Sequence, residues 1–389
     1  MRLTAHRSHP GAVDSSPLTE GARGNRGGTG AVDPGVWDSI VIGAGQAGLS
    51  TSFHLSRLGV RHLVLDANPR AGGAWQHRWD ALTMADVHGV ADLPDDPVPP
   101  ASGSERANDF VPGYFSDYET HHDLPVVRPV VVRSVRDEDG VLRVEAEDGR
   151  TWHTRTLVNA TGTWRRPFVP RYPGQESFRG RQLHTAGFGD PEDFRGKRVL
   201  VVGGGASAVQ FLGLLRPLTD TLWVTRREPV WRTDEFDQEA GRTAVAMVEE
   251  RVRRGLPPRS VVSVTGLMLR PQEQEAARLG AYERLPMFER IEPDGVRWAD
   301  GTFEPVDVIL WATGFRPDVD HLRPLRLRSP LGGIQLGDTT ATSTTSVADP
   351  RVQLVGYGPS ASTIGANRAG RVAARAVQRA LEQASAQAS

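Results

Sequence analysis

The chain has 389 residues, 38% of them hydrophobic and 24% charged, with a formal net charge of −1 and no cysteine. That length leaves room for two nucleotide-sized domains, and no apolar run approaches the roughly 20 residues of a membrane-spanning helix. Balanced charge gives no electrostatic reason to expect nucleic acid or anionic lipid as a partner, and the absence of thiols excludes disulfides, thiolate metal sites and a Cys-x-x-Cys relay. Redox chemistry would have to be carried by a cofactor, and with Lys197 as the only lysine Schiff-base chemistry is a poor fit.

Residues 1–36, including "SSPLTEGARGNRGGTGAVDPG", are rich in Gly, Ser and Arg without hydrophobic periodicity, which predicts a disordered tail. They lack the apolar core of a secretory signal, so a cytoplasmic protein is expected. From Trp37 the pattern changes: "WDSIVIGAGQAGLSTSFHLSRLGVRHLVLDANP" reads as strand, glycine turn, helix and second strand, a complete βαβ unit. In "GAGQAG", Gly43 permits the tight turn, Gly45 lets backbone approach a pyrophosphate, Gln46 and Ala47 open the helix, and Gly48 lets helix and strand pack closely. Asp66, followed by Ala67, ends the second strand where a carboxylate would bind ribose hydroxyls.

Further on, "VVRPVVVRSVRDEDGVLRVEAEDGRTWHTRTLVNATG" alternates like strands broken by "DEDG" and "EDG" turns, predicting a small antiparallel sheet and a return strand. A second βαβ unit, "KRVLVVGGGASAVQFLGLLRPLTDTLWVTRRE", begins about 160 residues after the first. Here Gly203 and Gly205 hold the first two glycine places, Ala206 and Ser207 open the helix, and Ala208 replaces the third glycine. Its second strand ends in Arg226 and Arg227 rather than an acid; an arginine there would pair with a 2′-phosphate, and which of the two does so stays open. FAD in the first unit and NADPH in the second is the economical reading. A return strand "VDVILWATGF" and a C-terminal strand, loop and long helix complete the pattern. The expected fold class is α/β: two Rossmann-like dinucleotide-binding domains, the NADPH domain (195–306) inserted into a split FAD domain (37–194 and 307–389). The segment from Trp231 to Arg290 exceeds what a minimal nucleotide domain needs and is expected to cover the substrate side.

Between the units, Phe178, Gly180, His184 and Phe188 fit the pattern FxGxxxHxxx(Y/F). With that pattern, the chain from about Trp37 to Leu381 resembles the flavin-containing monooxygenases and their N-hydroxylating and Baeyer–Villiger relatives. Further matches are "GGAW" (Gly72, Gly73, Ala74, Trp75), "NATG" from Asn159 to Gly162, and "ATGF", which holds Thr313 and Gly314. The resemblance implies FAD and NADPH as cofactors, a 4a-peroxyflavin formed with dioxygen, and oxygenation of a small-molecule nucleophile at nitrogen or sulfur. Phe188 stands where the Baeyer–Villiger pattern has tryptophan, which favours that branch over ketone oxygenation. A non-oxygenating NADPH oxidase or redox-sensing flavoprotein is the reading from a different class.

One departure is that Ala85 takes the place of the asparagine that the family carries over the flavin, with Asp86 and His88 beside it. Asp86 is expected either near the flavin edge or as a loop cap, and His88 as structural. His184 is expected to act as a hinge, hydrogen-bonding backbone on both sides of a joint, or else in catalysis. Ser362 or Thr363 would open the C-terminal helix, whose amides would face charge on the reduced flavin. Small-molecule substrate and dioxygen are the expected partners; no metal is expected, and a homodimer is compatible with the sequence.

Overall fold

The computed structural model describes residues 35–388 apart from 88, 232–237, 259–265, 268 and 270. The expected N-terminal tail, except Gly35 and Val36, lies outside the described residues, as do His88 and part of the Trp231–Arg290 segment. No helix among the described residues is long and apolar enough to cross a membrane.

The first unit starts with β1 (Val36–Ile42), α1 (Gln46–Arg57) and β2 (His62–Leu65), followed by α2 (Ala107–His121), β3 (Val126–Val127), β4 (Val132–Glu138), β5 (Val141–Ala146) and β6 (Thr151–Asn159). Strands β3, β2, β1 and β6 lie side by side in parallel, and β5 and β4 continue the sheet antiparallel beyond β6. Ile40 and Val41 are fully buried on opposite faces of β1, as a central strand covered on both sides requires. The expected antiparallel sheet and return strand share β6: residues 151–154 pair with β5, while residues 153–159 run parallel to β1 on the other side and end at the cleft.

The second unit is a five-stranded, all-parallel sheet. It contains β7 (Arg181–His184), β8 (Arg198–Val202), α3 (Ala206–Leu215), β9 (Asp220–Val224), α4 (Gln238–Arg253), α5 (Pro271–Arg278) and β10 (Arg284–Leu285). A three-stranded antiparallel patch follows, β11 (Arg290–Glu292), β12 (Gly295–Arg297) and β13 (Phe303–Pro305), and then β14 (Val308–Trp311). The sheet order is β10-β9-β8-β14-β7. The sheet thus reaches beyond the expected span of 195–306 on both sides. The stretch from Phe178 to Phe188 is not only a linker, because Arg181–His184 forms the edge strand beside β14.

The chain then returns to the first sheet, where β15 (Val352–Leu354) pairs with the second half of β6 and α6 (Thr363–Ala388) packs along α1. The two helices cross closely: a Cβ on Gly370 would lie 2.6 Å from Ser50 Oγ, and Ser50 Oγ–H donates to the Asn367 carbonyl. Two chain segments therefore pass between the units. They are hydrogen-bonded to each other through Phe168 N–H to Gly314 O (2.9 Å), Arg316 N–H to Arg166 O (2.8 Å) and Asp318 N–H to Gly162 O (2.9 Å).

Candidate active site

The first glycine turn is fixed by sterics. Gly43 has φ +103°, and a Cβ there would lie 2.7 Å from the Ala160 carbonyl oxygen; one on Gly48 would lie 1.8 Å from Gly43 O. Only glycine lets α1 start directly above the β1–β6 junction, and its first amides then point into a cleft of about 330 Å³. The helix end contributes roughly half a positive charge there.

Of the residues expected to hold the first dinucleotide, Gly43, Gly45, Gln46, Ala47, Asp66, Ala67, Gly73, Ala74, Trp75 and Ser362 line this cleft, while Gly48 acts beneath it through packing. Asp66 is almost fully buried at the end of β2. Arg128 anchors it at 3.4 Å and is itself held by Glu119 of α2, while Asn68 donates to its other oxygen. Gln46 gives its amide N–H to Ala91 O and Asn367 Oδ1, and its Oε1 is buried with no partner among the described residues. Ser362 caps α6 by accepting from Gly365 N–H. Thr363 is the first residue of that helix.

The far end of the cleft is built by residues that sequence reasoning did not single out. His321 donates to Asn159 Oδ1 at 2.7 Å, and Asn159 in turn reaches Thr161. Burial holds the His321 imidazole down to about 4, so it stays neutral. Asp318 also lines the cleft, and burial raises its carboxyl above the ordinary aspartate value, with Arg165 and Arg166 opposing. Trp164 stacks on Phe315 (5.1 Å between ring centroids). The Arg78 guanidinium lies 4.5 Å from the Trp164 ring centroid and 5.5 Å from that of Trp75.

Asp86 and His184, for each of which a catalytic role is one of two readings, are both engaged by contacts within the chain. Asp86 turns back on its own loop: its Oδ2 accepts from Thr83 Oγ1–H at 2.7 Å, and its N–H donates to Thr83 O. It is not among the residues that line the cleft, so of the two readings its contacts favour the loop cap. Ala85 beside it is exposed.

His184 uses both ring nitrogens on backbone. Nε2–H donates to Gly314 O at 2.9 Å and Nδ1 accepts from Ala186 N–H at 3.0 Å, while the ring meets Phe315 edge-on. Burial lowers its basicity, and the Gly314 hydrogen bond opposes that. An imidazole committed at both nitrogens has no lone pair or proton left for a substrate, which corrects the catalytic reading. Thr313 and Gly314 are likewise spent on this joint: Thr313 Oγ1–H donates to Phe168 O, and the Gly314 carbonyl accepts from both Phe168 N–H and His184. Their neighbour Phe315, rather than they, reaches the cleft.

The second glycine turn repeats the sterics of the first. Gly203 has φ +143°, and a Cβ there would lie 2.1 Å from Ala312 O. Gly205 precedes α3, which starts at Ala206 and Ser207, and Ala208 is fully buried in the third-glycine place. Arg226 and Arg227 are exposed just beyond β9, after buried Thr225. The acid that follows them, Glu228, is held by Arg284 at 2.7 Å, and Arg284 also donates to both oxygens of Thr225. Arg284 comes from the edge strand β10, some 60 residues on, and so carried no local signal.

Comparison with known proteins agrees with this layout. A family profile described as "Pyridine nucleotide-disulphide oxidoreductase" matches residues 40–256. The chain is similar to a solved flavin-containing monooxygenase from Stenotrophomonas maltophilia, with 36% identity, 88% of this chain and 98% of that one covered, and a TM-score of 0.75. It is 28% identical over 315 residues to indole-3-pyruvate monooxygenase YUCCA1 of Oryza sativa subsp. japonica, covering 72% of this chain and 77% of that protein. Cyclohexanone monooxygenase shares the fold, with 16% identity, 90% and 88% of the two chains covered, and a TM-score of 0.63.

Proposed function

The chain belongs to the pyridine nucleotide-disulphide oxidoreductase family and to the flavin-containing monooxygenases, and from that premise we propose that it is an NADPH-dependent FAD monooxygenase oxygenating a nitrogen or sulfur centre of a small molecule. It is a flavin-dependent oxidoreductase, and a chain without cysteine carries no disulfide relay of its own despite the family's name. In this reading the first unit takes FAD and the inserted second unit NADPH.

The observation that carries the reading is the Cβ-free cradle at Gly43 and Gly48, which opens into the long cleft containing the unpartnered Gln46 Oε1. These residues fit FAD. Gly45 and the first amides of α1 would hold the pyrophosphate, Asp66 the adenosine ribose, and Gln46 Oε1 would accept from a donor on the ligand. Gly73, Ala74 and Trp75 would wall the flavin, and the Ser362-capped start of α6 would favour negative charge on its pyrimidine end. Bound FAD supplies hydride acceptance and dioxygen activation.

The chain's own contribution is placement. Trp164 and Phe315 close the interdomain end of the cleft against water, and His184 fastens the second unit to the joint. Exposed Arg226 and Arg227 offer charge-assisted hydrogen bonds to a 2′-phosphate, and the Arg284–Glu228 pair keeps the neighbouring acid occupied. Phe188 packs against Phe194 and Phe211 in the second unit's core.

The test is turnover of the FAD-loaded protein under ¹⁸O₂ with NADPH and three probes: a tertiary amine, a thioether and a cyclic ketone. N-oxide or sulfoxide carrying one labelled atom supports the proposal. Ester formation from the ketone alone would replace it with Baeyer–Villiger chemistry. Hydrogen peroxide in stoichiometric yield with every probe would replace it with an NADPH oxidase or redox-sensing flavoprotein.

A further inference from the structure

Arg78 sits in the wall of the cleft with no anion to meet. Its guanidinium lies between the Trp75 and Trp164 rings, its Nε is buried without a hydrogen-bond partner, and no carboxylate among the described residues lies within ion-pair distance of it. The backbone around it is pinned: Asn108 donates to the Arg78 carbonyl at 3.0 Å and to Asp80 at 2.7 Å. The guanidinium therefore keeps its place without the ion pair that a buried cation ordinarily has. Burial lowers its pKa to about 10, which leaves it charged at neutral pH.

Its location narrows the anion it could meet. The next residue, Trp79, packs on Phe188 and Phe211 of the second unit (6.0 and 4.7 Å between centroids), and Trp164 stacks on Phe315 beside the hinge histidine. Arg78 thus stands where the two units meet, whereas the pyrophosphate of the first unit has its own receptor at the start of α1. The cleft's two acids do not neutralise it: Asp66 is committed to Arg128 and Asn68, and Arg165 and Arg166 are the cations that act on Asp318. The end of the cleft nearest the second unit therefore offers one uncompensated cation, Arg78, beside two indole rings.

We propose that Arg78 receives the carboxylate of the substrate, so that this enzyme acts on small organic acids. The proposal rests on the monooxygenase reading for the claim that the bound acid is turned over; the binding itself does not depend on it. The planar guanidinium suits a carboxylate through paired hydrogen bonds from its Nη groups, the Nε being closed off from the cleft, and a neutral isostere would leave the charge as desolvated as before.

The probes are phenylacetate and phenylacetamide, close in shape, one anionic and one neutral, titrated calorimetrically into the FAD-loaded protein. Wild type is expected to prefer phenylacetate. Arg78→Met, which keeps an unbranched chain between the two indoles, should weaken phenylacetate roughly 10- to 100-fold and leave phenylacetamide within about twofold; Arg78→Lys should restore part of the difference. Equal wild-type affinity for the two probes, or phenylacetate binding unchanged in the Met variant, would overturn the proposal. So would loss of bound FAD in both variants, because Arg78 would then be serving the cofactor. Phenylacetate binding through Arg78 in a protein that oxygenates nothing would sink the monooxygenase reading and leave the subsite standing.

Discussion

His321 gives a measurable pH dependence to the flavin cleft. Its imidazole is 8% exposed and donates to Asn159 Oδ1 at 2.7 Å, and burial lowers its pKa from 6.5 to about 4. In the unfolded chain the ring takes a proton below about pH 6.5, while in the folded protein it stays neutral until about pH 4. The unfolded state therefore binds more protons across that window, so the stabilisation is complete above pH 6.5 and is lost as pH falls toward 4. A gap of about 2.5 pH units at ~1.4 kcal/mol each amounts to about 3 kcal/mol. His54 is also held down to about 4, by burial and then by repulsion from Arg371, but it is more exposed and contributes less. The variant comparison isolates His321. His321→Gln keeps a donor for Asn159 and cannot titrate, so its urea-unfolding free energy should sit below wild type by a constant amount at pH 7–8. At pH 5 the gap should close by about 2 kcal/mol. Flavin release on acidification, read by fluorescence, should also be shallower in the variant. Parallel stability curves from pH 8 to pH 5 would show that the ring is not buried neutral, and the reasoning would fail.

Gly48→Ala places a methyl group 1.8 Å from Gly43 O, so α1 must shift; a loss of roughly 3 kcal/mol and sub-stoichiometric flavin in the purified protein are expected, readable by melting temperature and absorbance. Replacing Arg226 and Arg227 together with alanine should raise the KM for NADPH roughly 10- to 100-fold while moving that for NADH about twofold or less; equal losses would contradict a 2′-phosphate site there. His184→Ala leaves Ala186 N–H without its acceptor and removes one of the two donors to Gly314 O. Stopped-flow flavin reduction by NADPH should slow at unchanged NADPH affinity, and unchanged reduction, coupling and product yield would remove the hinge role.

What could be read from the sequence was local. The turn at Gly43 and the helix packing at Gly48 follow from residues within six positions of each other, and Asp66 lies one strand further, so the βαβ pattern carries them. Arg78, Trp164, Asp318 and His321 were missed because their meaning arises across the fold. Asn159 and His321 are 162 residues apart yet share a hydrogen bond, and Trp164 meets Phe315 only because the two linkers run side by side. For Asp86 it is the loop-cap reading that the contacts favour, and for a short-range reason. An aspartate three residues after a threonine can close its own turn, and that short-range bond to Thr83 outweighs the location suggested by its place after "RWD".

The "ATGF" segment shows why a motif match and a contact can part company. Thr313 and Gly314 occupy a nucleotide-site pattern, yet their polar atoms face the other linker: Thr313 donates to Phe168 O, and Gly314 O takes two donors, one from Phe168 and one from His184. The His184 bond ties Gly314 to the end of β7, the neighbour of β14 in the same sheet, and so moves with the second unit, whereas the Phe168 bond joins the two linkers. A large rotation would break at least one hydrogen bond inside a half-buried joint, where an unpaired group costs roughly 1–3 kcal/mol. Phe315, on the same segment, stacks on Trp164, so a rotation that moved this segment would shift the aromatic end of the cleft.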